Sequence, residues 1–161
     1  MRCADTDSRR NRTAALLLAL ALTVALAGCG SKTEEVDVAA LAAELKEKVE
    51  FVSGEMKELT ADTLSNYVDL PEGTKTAFYM GTGLSAEEII AVQCANEKDA
   101  AALKTNVEHL LKNQIDREGA YHPEVIPRLE NAVLIQQGTC VVLCVTDDAD
   151  TAEQIIRGVL G

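Results

Sequence analysis

The chain has 161 residues, with 26 acidic and 15 basic side chains and a formal net charge of −11 at pH 7. An acidic surface repels nucleic-acid phosphates and anionic lipid headgroups, which excludes nucleic acid as an expected partner and leaves basic proteins, cations and neutral ligands. Two Phe, three Tyr and no Trp provide too few rings for a surface on which sugars stack.

The N-terminal segment has the pattern of a secretory signal peptide. Four arginines lie within the first 12 residues, and residues 14–27 are apolar with one exception. As a helix this run would reach about 21 Å, whereas the hydrocarbon core of a bilayer is about 30 Å thick. The run is therefore predicted to direct export rather than to span the membrane.

The four residues that end this segment, Leu26-Ala27-Gly28-Cys29, resemble the bacterial lipobox. In a lipobox a diacylglyceryl group is attached to the cysteine thiol, and the leader is cleaved on the amino side of that cysteine. We predict cleavage between Gly28 and Cys29, a lipid on Cys29 and no other cofactor. The protein would then be anchored in the lipid membrane of the cell, on its extracytoplasmic side. The alternatives are a signal peptide cut elsewhere and a cysteine buried in a membrane helix.

Cleavage at this point divides the chain into a leader (residues 1–28), a lipidated cysteine with a polar tether (residues 29–37) and one domain (residues 38–161). The mature chain would keep 11 basic and 24 acidic residues, a net charge near −13, which suits an exported soluble surface. Residues 30–37 extend to at most about 28 Å, so the domain is predicted to lie close to the bilayer.

An amphipathic helix is predicted over residues 38–52, with Asp37 as its cap. Its apolar positions follow intervals of four, four and three residues and form one stripe: Leu41, Leu45, Val49 and Val52. A second short helix is predicted over residues 61–67. The sequence DLPEG at residues 69–73 predicts a turn.

Two strands and a long helix are predicted next. Residues 75–80 and 89–94 have the composition of strands, although Ser85 and Glu88 also fit a capping box that would begin a helix. The long helix is predicted over residues 97–116. Its apolar face consists of Ala100, Leu103, Val107, Leu111 and Ile115.

A hairpin and a final helix end the chain. Residues 132–136 and 140–145 are apolar runs joined through Gln137-Gly138, which suits a tight turn. The acidic residues within 147–150 are predicted to cap a helix that runs to about Leu160. The predicted fold class is α+β: an N-terminal helix followed by a β-β-α-β-β-α unit, with helices packed on an antiparallel sheet.

Three segments resemble a known family: FYMGTGLSAEEIIAVQC, YHPEVIPRLENAVLIQQG and VVLCVTDDADTAEQII. They look like the domain-of-unknown-function family numbered 4358, which occurs on small bacterial lipoproteins. The resemblance spans roughly residues 38–161. It implies a lipid-anchored extracytoplasmic domain, and it supplies no reaction, no ligand and no functional residue.

The sequence shows no catalytic motif, since G-x-S-x-G, H-E-x-x-H and G-x-x-x-x-G-K-[ST] are all missing. His109 and His122 are 13 residues apart, which is not a zinc-ligand spacing. The acidic residues within 147–150 lack the turn glycine and the distant glutamate of a calcium loop. We therefore expect no enzymatic activity and no bound metal.

Three cysteines remain besides Cys29 and the one in the leader. Cys140 and Cys144 share one face of a predicted strand but lie about 13 Å apart, beyond the reach of about 7 Å that a disulfide allows between Cα atoms. We predict that Cys94, Cys140 and Cys144 are small buried hydrophobes. The alternative is a disulfide between Cys94 and one of the other two.

Two classes of function remain open. The first is a non-catalytic interaction or accessory module that binds an envelope protein, and the second is a small-ligand-binding or cell-wall-binding lipoprotein. Because the hairpin strands are apolar at nearly every position, both faces of the sheet need cover. Leu41, Leu45 and Val142 are predicted to mark a docking face if the N-terminal helix leaves this surface open. The alternative is that the helix closes the core.

Overall fold

A computed structural model describes residues 35–161, so the predicted leader, Gly28 and Cys29 lie outside the described residues. The α+β class is confirmed, and one strand comes in addition to the predicted order. In chain order the elements are α1 (Val38–Lys48), β1 (Met56–Leu59), α2 (Ala61–Leu64), β2 (Lys75–Gly81), β3 (Glu88–Gln93), α3 (Glu97–Tyr121), a 3₁₀ turn (Pro123–Val125), α4 (Ile126–Glu130), β4 (Val133–Gln137), β5 (Cys140–Val145) and α5 (Ala149–Leu160).

The five strands form one antiparallel sheet in the order β1-β2-β3-β5-β4. Ile90 of β3 lies opposite Phe78 of β2 and Leu143 of β5. Every residue of β3 and β5 is buried. Because helices cover both faces, these two strands are apolar almost throughout, although antiparallel strands often alternate apolar with polar residues.

The helices α1 and α5 cover one face of the sheet. α1 contacts β2 and β3, α5 contacts β4 and β5, and the two helices contact each other. Leu41 and Leu45 of α1 and Ile156 of α5 are buried with Ile89 and Val142 in one apolar cluster. In this arrangement the N-terminal helix closes the core, which is the second of the two alternatives given for this face.

The long helix α3 covers the opposite face. Asn96 caps its first turn, because the side-chain oxygen accepts the N–H of Asp99 at 2.9 Å. Leu103 and Val107 of α3 are buried in a second apolar cluster with Leu143 of the sheet. Full burial of a leucine or valine side chain stabilises the fold by about 2 kcal/mol.

The helix α1 begins as predicted and ends earlier. The Asp37 carboxylate accepts two backbone N–H groups of the first turn, at 3.1 and 3.0 Å, which confirms the predicted cap. The helix stops at Lys48 because Val49 has an extended backbone with ψ of 139°. Val52 therefore leaves the stripe and is 65% exposed, so its predicted place on the apolar face is wrong.

Two further features of the sheet differ from the prediction. The sequence does not predict β1, because this four-residue edge strand carries the exposed charges of Lys57 and Glu58 and gives only a weak apolar pattern. The alternative helix start at Ser85 and Glu88 is wrong. Glu88 lies in β3 and is paired with a strand on each side.

The ends of two helices also differ, and a third helix, α5, lies where it is predicted but lacks a side-chain capping bond. α2 ends at Leu64, before the predicted residue 67, and α3 continues beyond residue 116 to Tyr121. α5 begins after Asp148, whose side chain makes no capping bond. The Asp148 carboxylate instead accepts the N–H of Glu50 at 3.3 Å. Within residues 35–161, no helix has the length and apolarity needed to cross a bilayer.

Candidate functional site

The three residues predicted to mark a docking face lie in the core. Leu41 is 1% exposed, and Leu45 and Val142 are 0% exposed. All three belong to the cluster between α1, α5 and the sheet. Because α1 fills this sheet face, a docking surface has to be sought elsewhere on the domain.

The residues considered for metal or thiol chemistry are dispersed. Residues 35–161 contain no group of three or more His, Cys, Asp or Glu side chains arranged to hold a metal ion. His109 lies within α3, and His122 follows the end of that helix. Cys94, Cys140 and Cys144 are free and buried, and burial raises the pKa of the Cys140 and Cys144 thiols to about 12. The thiols are thus protonated at neutral pH, as the buried-hydrophobe prediction requires.

A buried carboxylate, Glu87, joins two loops next to the sheet. Its two oxygens accept the N–H groups of Val52 and Ser53 at 2.8 and 2.9 Å. The Arg128 Nε lies 3.9 Å from Glu87 Oε1, and the same guanidinium donates to both oxygens of Asp147, at 2.9 and 2.6 Å. Both Glu87 oxygens are therefore hydrogen-bonded, and the carboxylate holds these loops in place.

The adjacent carboxylate, Glu88, is buried but accepts fewer hydrogen bonds than Glu87. It is 3% exposed, and its one hydrogen bond within the described part of the chain comes from Gln114 Nε2 of α3 at 3.2 Å. Burial raises the pKa of Glu88 to about 7, although the Gln114 hydrogen bond and the Arg117 charge oppose the shift. The amide oxygen of the same side chain, Gln114 Oε1, is buried and has no hydrogen-bond partner among residues 35–161. Such a buried, unpaired acceptor costs about 1–3 kcal/mol.

Glu88 and Gln114 line a cavity of about 170 Å³ between α3 and the β2–β3 connection, which we call the Glu88 cavity. The connection contributes Gly83, Leu84 and Ala86. Gly83 has a φ of 73°, which glycine adopts freely, whereas Ala86 has a φ of 57°, a strained value for a residue with a side chain. The remaining lining residues are Met80, Gly81, Glu87, Arg117 and Glu118. The cavity therefore combines an under-bonded carboxylate, an unpaired amide oxygen and a partly apolar wall.

The outer edge of β4 is a second candidate site. Gln137 and Cys140 flank the two-residue loop Gly138-Thr139 and therefore form a hydrogen-bonded pair. Along an antiparallel pair of strands, hydrogen-bonded and non-hydrogen-bonded residue pairs then alternate. The backbone N–H and C=O groups of Leu134 and Gln136 consequently point away from β5, and β4 is the last strand of the sheet. The strand carries no charge. The opposite edge strand, β1, carries Lys57 and Glu58, which protect an edge from pairing.

Sequence reasoning missed both sites for different reasons. Glu88 precedes a predicted strand and also fits a capping box, and only the burial of β3 on both faces shows it to be an enclosed carboxylate. The sequence predicts β4 as a strand, but a strand's own sequence does not show whether it ends a sheet. Its lack of charge is the one feature of the sequence that points to an unprotected edge.

The fold and these sites define a small α+β domain whose five-stranded antiparallel sheet is covered by helices on both faces. The chain belongs to the family described as Domain of unknown function (DUF4358), whose model matches residues 48–146. No curated protein and no solved structure matches the chain.

Proposed function

We propose that this protein is a membrane-tethered extracytoplasmic lipoprotein that acts as a non-catalytic interaction module of the cell envelope. The observation that carries the interaction role is the uncharged edge of β4, which pairs with no further strand within residues 35–161. The motif Leu26-Ala27-Gly28-Cys29 supports the anchor. From Cys29 to Glu35 the chain extends to at most about 22 Å, so the anchor would keep the domain near the membrane surface.

The proposed partner supplies an extended segment that adds a sixth strand beside β4. Its backbone would pair with the outward N–H and C=O groups of Leu134 and Gln136, which gives affinity without a deep pocket. Val133 and Ile135 pack on one side of the sheet and Leu134 on the other, so the added strand finds apolar neighbours on both faces. The charged loops would only bias the approach of the partner.

The anchor is tested by the native N-terminus. We expect mass spectrometry of the mature protein to find a chain that begins at Cys29 and carries a diacylglyceryl mass. Cys29→Ser removes the thiol that takes the lipid, so this variant should remain an unprocessed precursor or be released into the medium. A wild-type chain that begins elsewhere and lacks the lipid mass would contradict the anchor.

The docking edge is tested by photo-cross-linking in intact membranes. A photoreactive residue at Gln136 should give defined adducts, whereas the same residue at Lys57, on the protected edge, should give none. Adducts of twice the chain's mass would identify a second copy as the partner, and other masses would identify an envelope protein. Either result supports the proposal. Failure to cross-link at position 136, or equal yields at both positions, counts against it.

Proline substitutions separate loss of docking from loss of folding. Gln136→Pro removes an N–H that points away from β5, so we expect the domain to fold and formaldehyde-captured adducts to disappear. Ile135→Pro removes an N–H bonded to β5 and should destabilise the domain by about 3 kcal/mol. Undiminished adducts in the folded Gln136→Pro variant would move the docking site away from β4.

A second candidate function is small-ligand binding, and the Glu88 cavity is the observation that favours it. The cavity offers hydrogen-bond acceptors that residues 35–161 leave unused. A cell-wall fragment or another small molecule would have to satisfy these acceptors, which restricts its chemistry to groups that donate hydrogen bonds.

A further inference from the structure

The Glu88 cavity holds more hydrogen-bond acceptors than donors. The Glu88 carboxylate receives one bond from the described part of the chain, and an ionised carboxylate has about four acceptor sites. Gln114 Oε1 receives none. A group that enters the cavity and donates at least two hydrogen bonds would remove both deficits.

The charges around the cavity show which donor fits. Glu87 is occupied by two backbone N–H groups, and Arg117 Nε donates to Glu118 at 2.8 Å on the rim. Arg128 lies beyond Glu87 and is bound to Asp147. Within residues 35–161 Glu88 forms no ion pair, and the Arg117 charge that acts on it is paired with Glu118, so a positively charged donor is favoured over a neutral one.

The wall of the cavity indicates what the donor is attached to. Met80 and Leu84 line the cavity, and Leu84 is 67% exposed, so its side chain is accessible at the cavity rim. Such a rim suits a short hydrocarbon chain. With five aromatic residues in the whole protein and none in the lining, a flat ring gains little here.

We propose that the Glu88 cavity binds a primary alkylammonium group, whose N–H groups donate to the Glu88 carboxylate and to Gln114 Oε1 while its alkyl chain contacts Met80 and Leu84. Two sources share this chemistry: a free aliphatic amine and the side chain of a lysine in a peptide. The proposal deepens the ligand-binding candidate and does not depend on docking at β4.

The test uses the mature lipoprotein in non-ionic detergent and n-butylamine as the probe, which is protonated at pH 8. We expect the probe to shift the NMR signals of the Gln114 side-chain amide, with a dissociation constant of about 1–10 mM for so small a ligand. Affinity should fall by about tenfold or more at pH 5.5, because Glu88 is then mostly protonated and uncharged. Nα-acetyl-lysine methylamide, titrated in parallel, distinguishes a lysine side chain from a free amine as the preferred source.

The controls isolate the charge at position 88. Glu88→Gln should abolish the shifts, whereas Glu124→Gln, at an exposed position, should leave them unchanged. n-Butanol has the same chain without the charge and should bind at least about tenfold more weakly. Unchanged binding by Glu88→Gln, equal affinity for n-butanol, or no shift at about 100 mM probe would overturn the proposal.

Discussion

Leu45→Asp and Val142→Asp should each lower the free energy of unfolding by more than about 4 kcal/mol, because each places an unpaired carboxylate in the closed apolar cluster. Domains of this size are stable by about 5–15 kcal/mol, so either variant is expected to be largely unfolded at 37 °C. Urea denaturation followed by far-ultraviolet circular dichroism measures the effect. Both residues are 0% exposed.

The matched control is Val52→Asp, which introduces the same charge at an exposed valine in the segment after α1. Because Val52 is 65% exposed, we expect a change within about 0.5 kcal/mol. If Leu45→Asp folds normally and loses the cross-linked partner instead, α1 is itself the docking surface. In that case the closed core described above is not the state that binds.

Glu88→Gln should raise the free energy of unfolding at pH 8 by about 3 kcal/mol and change it little at pH 4. Burial raises the pKa of Glu88 from its ordinary value of 4.5 to about 7 in the folded protein. Below pH 4.5 the carboxyl is protonated in both states. Between pH 4.5 and 7 the unfolded chain releases the proton and the folded chain keeps it, so stability falls as the pH rises. Above pH 7 this loss is complete.

The amide introduced by Glu88→Gln carries no charge at any pH, and its NH₂ group can donate to Gln114 Oε1. The pH-dependent loss should therefore disappear from denaturation curves recorded between pH 4 and 8. Glu124→Gln, at an exposed position, should keep the wild-type pH profile. If Glu88→Gln has the stability of the wild type at pH 8, the carboxylate is not held in an unfavourable environment.

The parts of the fold that could be predicted from the sequence are those set by local periodicity. β4 covers residues 133–137, one position later than the predicted residues 132–136. β5 matches its predicted residues 140–145. The Asp37 cap is also confirmed, because the bond joins groups two and three residues apart. Such features depend on neighbours in sequence.

The parts that could not be predicted depend on contacts between distant residues. The acidic residues within 147–150 are predicted to cap α5, and Asp148 occupies the N-cap position, but its carboxylate accepts the N–H of Glu50, 98 residues away. The burial of Glu88 likewise depends on α3, through a bond to Gln114 across 26 residues. No local pattern distinguishes a carboxylate that caps a helix from one that a remote element encloses.

The two ends of β3 have different surroundings: the chain enters the domain at one end, and the Glu88 cavity lies at the other. At the Gln93 end, the Gln93 side chain accepts the N–H of Val36, so the chain enters the domain there. Glu88 lies at the other end of the strand, about 17 Å away. If the chain is anchored upstream of Val36, the domain is attached at the Gln93 end of β3. The Glu88 cavity then lies at the opposite end of the domain. The β4 edge runs between these two ends of the domain, so under the proposed lipid anchor a neighbour in the same membrane would meet it side by side.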